Sequence, residues 1–562
     1  MEVSPASVRH GLLDEARQSD RTHWLHKRYL VVDDLASLRD FLRASLQKLG
    51  ATAIEYASSG REAITLLNKK QFDVVLCSCD LGDGSNGQQV LEEARARELL
   101  LPSNVWLMLS PEQSAESVMG VAEQQPDAYL ITPLTERAVI ARLALVWQTK
   151  RLFKPIDAAF AEKDYMGAAR ECESQIAANP PHETELLRLK ANLLLKGGEA
   201  EMARQCFERV LLGRGYQWAR AGLAKLRMAN GEFEQARQIF QSVIAENRLY
   251  IEAYDQLAIA HQNMGQPRQA CDVLERATVL SPNSVARQRS LGQVSLKLGL
   301  MNLAERAFRK CIAVGQYSIM KSPDAYLGLA RVCGLKNDPK EALQLLTTAR
   351  SDFAGDGIEL RVKIAEGLVH HESGNQQAAR RAGEELEHML RRGAQRPDLV
   401  SCIEMASLML AVGLRDAAVE QLCFITKNNH DNIALIDEVK LVFERASMRG
   451  EGETLIAAAR KEATDLMNQG VLLWKTGKAL EALAWMRNAR MVLPDNLRIL
   501  FNAAQILVSH LQQSGFDQAL ANEAGEVLMH ANRIAPGQQR FSLLMDQLAK
   551  VVPLTSPKQV VA

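Results

Sequence analysis

The chain has 562 residues, and Lys plus Arg equal Asp plus Glu at 67 each. That length exceeds what one hydrophobic core usually organises, so two or more domains, or a repeat array, are expected. The balanced charge argues against a polyanion-binding protein, and no stretch approaches a bilayer-spanning run of apolar residues. Nine scattered cysteines without zinc-like spacing fit small core residues carrying reduced thiols in a cytoplasm.

Residues 1–27 are polar and charged, and are expected as a tail, either disordered or with a short helix around 11–17. From 28 to 150 short β-rich runs alternate with amphipathic stretches. The strands are YLVV (29–32), TAIEY (52–56), DVVLC (73–77), VWLML (105–109) and AYLI (128–131). Helices are predicted over 36–49, 60–68, 88–97 and 114–124, with a last one from Glu136. This alternation predicts a doubly wound α/β domain with a five-stranded parallel sheet, whose ligands belong at the carboxyl ends of the strands.

Beyond residue 150 the strand pattern ends and the chain becomes helical. Gly-x-x-x-x-Ala recurs at Gly198/Ala203, Gly231/Ala236, Gly265/Ala270, Gly299/Ala304, Gly374/Ala379, Gly413/Ala418 and Gly477/Ala482. From Ala203 to Ala304 the alanines are 33, 34 and 34 residues apart. Gly lets the chain leave one helix and turn, and Ala lets the next helix approach closely. Ala169, with Asp164 in the glycine's place, reads as an earlier member. Ala342 reads as another, after an insertion around 316–323. One degenerate unit is expected in the 64 residues between Ala418 and Ala482. The spacing resembles the tetratricopeptide repeat, over roughly 155–496, which implies an all-α superhelical solenoid. The array is assigned to 151–496, and 497–562 to closing helices and a tail.

Asp33 and Asp34 close the first strand, where adjacent acids call for a divalent cation or for solvation as a helix-capping pair. With "YLVVDD", "FDVVLCSCDLGDG", "VWLMLS" and "YLITP" at these separations, residues 29–148 resemble the receiver domain of bacterial response regulators. The resemblance implies an Mg²⁺ site, a phosphoaccepting aspartate after the third strand, a switch hydroxyl, a switch aromatic, and a lysine before a proline. Asp33, Asp34, Ser110, Tyr129 and Pro133 match. At the acceptor position stands Ser78, and at the lysine position Thr132. An unactivated serine is a poor nucleophile and forms no acyl phosphate. Mg²⁺ is therefore expected to bind weakly, if at all, to Asp33, Asp34 and Asp80. The rival reading makes Asp80 the acceptor, with strand three displaced by two residues.

The other motifs point to no chemistry. The glycine-rich loop 82–87 lacks a phosphate-binding pattern. His370, His371 and Glu372 lack metal-ligand spacing and are expected as solvated surface. The segment with Arg380, Arg381, Arg391, Arg392 and Arg396 is interrupted by Glu384, Glu385 and Glu387, as in an ion-paired helix face. No catalytic arrangement is evident, so no enzyme is expected. The resemblance implies a bacterial cytoplasmic two-component adaptor, and the solenoid shape implies that its repeats hold a protein partner in their groove. A histidine kinase upstream, a homodimer, a phosphorylation-competent regulator and an RNA-binding repeat protein stay open as alternatives.

Overall fold

The computed structural model describes residues 24–82, 84–110, 123, 125–213, 215–353, 355–392, 398–535 and 538–551. Residues 1–23, Arg396 and most of the helix predicted over 114–124 lie outside the described residues.

Five strands, β1 (Arg28–Val32), β2 (Ala53–Ala57), β3 (Val74–Ser78), β4 (Val105–Ser110) and β5 (Ala128–Ile131), form one parallel sheet in the order β2-β1-β3-β4-β5. Around them are α1 (Ala36–Lys48), α2 (Gly60–Lys69), α3 (Gly87–Ala96) and α4 (Glu136–Lys150). Central β3 and β4 are buried along their whole length, as a sheet covered on both faces requires. Alternate side chains serve the two layers. Leu30, Val75, Cys77, Trp106 and Met108 meet Ala63 and Leu67 of α2 and Val90 and Leu91 of α3. Tyr29, Val31, Leu76, Leu107 and Leu109 meet Leu42 of α1 and Val139, Leu143 and Trp147 of α4.

Residues 24–27, expected with the polar tail, belong to this second layer. Trp24 is 6% exposed and its ring centroid lies 6.0 Å from that of Trp147. Lys27 is buried with Nζ 3.2 Å from the Trp147 ring centroid. Burial pulls its pKa down to about 8 despite the nearby Asp73. The polar and charged residues around it masked this anchor, because Trp24 and Leu25 form too short an apolar run to mark an element.

From α4 the chain continues without a linker through a 3₁₀ turn, Arg151–Ile156, into the short helix Asp157–Ala161. Antiparallel helix pairs then stack in succession, beginning with Glu183–Lys196 against Ala200–Leu211 and ending with Leu497–Ser514 against Gln518–Ile534. All seven turn glycines named above have positive φ, and each partner alanine is buried.

Two units depart from the sequence reading. Before the first full pair the left-handed residue is Lys163 (φ 59), Asp164 caps the next helix through Gly167 N–H, and the close-packing alanine is therefore Ala168. In the degenerate unit Ser447 (φ 59) makes the turn and Gly452 takes the alanine's place; a Cβ there would lie 2.5 Å from Phe443. The motif is inverted, with glycine at the packing point. The 27-residue helix Arg449–Lys475 then runs through without a second turn, giving the short spacing to Ala482.

First helices of successive pairs touch one another, as Val285–Lys297, Pro323–Leu335, Asp356–Glu372 and Leu399–Ala411 do. In a curved stack the more crowded row lies inside, so the first helices line the concave face. Lys297 and Glu438, 141 residues apart, form an ion pair of 2.8 Å across it.

Candidate functional site

The register places the acidic loop. Val32 pairs with Cys77, so Asp33 after β1 and Ser78 at the end of β3 lie side by side at the carboxyl edge of the sheet. Ser110 ends β4, and Thr132 N–H donates to the Ser110 carbonyl at 2.9 Å. Ser78 is the last residue of β3, and Asp80 lies beyond the strand.

Asp33 is 1% exposed, and both its structure and its titration are local. Its Oδ1 accepts from Leu35 N–H at 2.7 Å, and the Ser78 hydroxyl hydrogen-bonds its carboxylate. Burial raises its pKa, and these two bonds work against that shift. Arg39 of α1 places Nη1 on the Asp33 and Asp34 carbonyls, at 2.5 and 3.0 Å, bringing a fixed cation to the loop.

Asp34 and Asp80 are exposed, and Asp80 Oδ1 accepts from Gly82 N–H at 3.1 Å as the cap of its own turn. Among the described residues no three His, Cys, Asp or Glu side chains converge as metal ligands, so Asp33, Asp34 and Asp80 do not form the expected trio. Asp33 accepts from Leu35 and Ser78, while Asp34 and Asp80 are exposed. Gly87 closes the floor: a Cβ there would stand 1.9 Å from the Ser78 carbonyl. Tyr129 packs inward beside the core of α2 and α3, and Pro133 follows a cis peptide bond.

The histidine motif also departs from expectation. Glu372 is largely covered, pairs with Arg331 at 3.0 Å, and is pushed up to about 7 by burial, with Arg331 opposing the shift and Glu404 adding to it. Its helix packs against the next pair, which the local sequence does not show. The arginine segment is ion-paired as read, through Arg380 with Glu384 and Arg391 with Glu387.

A second region, unforeseen from sequence, is a polar seam between the α/β domain and the inner side of the first repeats. From α3, Gln89 donates to the Val314 carbonyl at 2.8 Å, and Glu92 accepts from Ser318 Oγ at 2.9 Å. Glu98 accepts from Tyr165 OH at 3.1 Å and pairs with Lys196, which holds its carboxyl below the usual range. Gln125 accepts from Arg188 at 2.8 Å. Glu123 lies 3.0 Å from Arg287, a residue 3% exposed that also grips Asp255 with two bonds of 2.8 Å. At the junction Asp157 accepts from Ser103 N–H at 3.0 Å. The sequence did carry one signal of this seam: Ala304 to Ala342 is 38 residues, four more than the repeat, and Ser318 lies in that insertion.

The family model for the response regulator receiver domain matches residues 29–144, and two for the tetratricopeptide repeat match 217–242 and 252–284. The chemotaxis protein CheY-3 of Vibrio cholerae is 28% identical over 119 residues, 21% of this chain and 90% of that protein. CheY of Pseudomonas aeruginosa is 25% identical over 119 residues, 21% of this chain and 94% of its own length. A CheY-like receiver structure from Methanospirillum hungatei aligns at 23% identity over 22% of this chain and 96% of that one, with a TM-score of 0.21. A tetratricopeptide repeat protein structure from Parabacteroides merdae aligns at 14% identity over 47% of this chain and 99% of that one, with a TM-score of 0.38. The chain thus joins two known modules. Its N-terminal domain is a response regulator receiver domain, and the solenoid that follows carries tetratricopeptide repeats.

Proposed function

We infer that the protein is a two-component-type signalling adaptor: its repeats bind a protein partner, and its receiver acts by contact and is not phosphorylated. The observation that carries this reading is the identity and bonding of the residue ending β3. Ser78 occupies that position with its hydroxyl bound to Asp33, while Asp80, the nearby carboxylate, caps a turn outside the strand. Phosphoryl transfer needs a carboxylate nucleophile, a metal and a cation at the departing oxygens. Serine and Thr132 stand where the first and last would be, and the Asp33 carboxylate accepts from Leu35 and Ser78. The combination of a receiver with a repeat solenoid supports a role in protein–protein contact. No helix among the described residues is long and apolar enough to cross a membrane.

The test is the intact mass of the full chain after incubation with acetyl phosphate and Mg²⁺, for wild type and Asp80→Asn. The expected result is no adduct in either. A gain of about 80 Da, the mass of one phosphoryl group, present in wild type and absent from the variant would replace this reading with a phospho-switch that uses Asp80.

A further inference from the structure

The seam differs in kind from the cores on either side of it. Every hydrophobic cluster among the described residues lies within the receiver or within the solenoid, and none crosses between them. Among the described residues the two parts meet through hydrogen bonds and ion pairs, around a cavity of about 350 Å³ lined by Asn86, Glu92, Glu123, Asn283 and Tyr317 among others. Polar contacts of this type resemble those of reversible associations.

Charge is distributed unequally across it. The receiver contributes the carboxylates Glu92, Glu98 and Glu123, and the solenoid contributes Arg188, Lys196 and Arg287 with the donors Tyr165 and Ser318. One like-charged approach, Arg95 towards Arg188, is bridged by Gln125, whose carbonyl accepts from the first and whose side chain accepts from the second. Glu98 (φ 54) and Gln125 (φ 47) both adopt left-handed backbone, and both place their side chains on the solenoid. The insertion that interrupts the repeat spacing also makes part of this contact, through Ser318.

We propose that the inner face of the repeats between Tyr165 and Ser318 is a receptor for a carboxylate-bearing segment of a protein partner, and that the receiver's Gln89-to-Glu98 segment and Glu123 occupy it until such a partner displaces them. This rests on the reading of the repeats as a protein-binding module and adds where the partner sits and what chemistry it presents. The receiver is the resident ligand. The exposed Lys196–Glu98 pair weakens with ionic strength, and a competitor must supply carboxylates to Lys196 and Arg287 and an acceptor to Arg188.

The probe is a fluorescent peptide with the sequence of residues 87–98, GQQVLEEARARE, titrated with the full chain and followed by anisotropy. Glu98→Lys with Glu123→Lys, made together, unseat the receiver and leave the solenoid side intact. The expected result is binding by this double variant at least ten-fold tighter than by wild type, weakened at least five-fold when the peptide carries glutamine for Glu92 and Glu98. Adding Arg188→Glu and Lys196→Glu, both exposed, should abolish it. Equal binding by wild type and the double variant, or a double variant that self-associates in light scattering without binding the peptide, overturns the proposal. A phosphate adduct in the mass experiment would overturn the adaptor reading alone, so the two failures are separable.

Discussion

The mouth of the receiver sheet and its seam with the repeats use similar residues to opposite effect. At the mouth, Asp33 is buried and bonded to Ser78, and Asp34 and Asp80 are exposed, with Asp80 capping a turn. At the seam, carboxylates of similar number are each matched to a donor on another element, and Arg287 is held by two of them. The difference teaches that this receiver's cross-element ion pairs gather at its contact with the solenoid rather than at its strand ends.

The largest expected break in that comparison comes from Arg287→Ala. It leaves Asp255 and Glu123 without their shared cation in a buried place, and should cost about 3–5 kcal/mol in urea unfolding of the full chain. Exchange of α3 amides should rise with it. Gly87→Ala tests the mouth instead. The new Cβ collides with the Ser78 carbonyl, and overpacking of this kind costs about 1–3 kcal/mol, read as a lower unfolding midpoint of the receiver.

A third test separates the seam from the inner face further along. Glu372 has a folded pKa of about 7, above its ordinary value, so its protonated form stabilises the fold and that contribution is lost as pH rises towards and through 7. Thermal midpoints measured at pH 5 and pH 8 should therefore fall more in wild type than in Glu372→Gln. A variant with the same fall would place the pH sensitivity elsewhere, for example on Glu404, which burial also raises. The smallest effect belongs to Asp80→Asn. This exposed residue keeps its turn-capping oxygen when amidated, so stability should stay within about 0.5 kcal/mol of wild type.

Much of the fold was legible because it repeats. Alternating strands and helices defined the receiver, and glycine-to-alanine spacing marked turns that all proved left-handed. Where the signature changed letters it was misread or hidden. Lys163 turns the chain where Asp164 was expected, and Ser447 with Gly452 reverses the usual placement of the small residue. The register that puts Ser78 at the strand end could be read by counting residues; the bonds that consume Asp33 could not, because they depend on the backbone of Leu35 and on the pairing of β1 with β3. The seam was invisible for a simpler reason. Gln89 and Val314 are 225 residues apart, and no local pattern reports which faces of two modules will meet.

The central claim is that the mouth is inert while the seam is closed, and amide hydrogen exchange on the full chain tests both at once. With and without acetyl phosphate and Mg²⁺, α3 (Gly87–Ala96) and the helix Glu183–Lys196 should show the same strong protection. Exchange that rises in both when the phosphodonor is added, and returns on its removal, would contradict the account and make the seam the output of a working phosphorylation site.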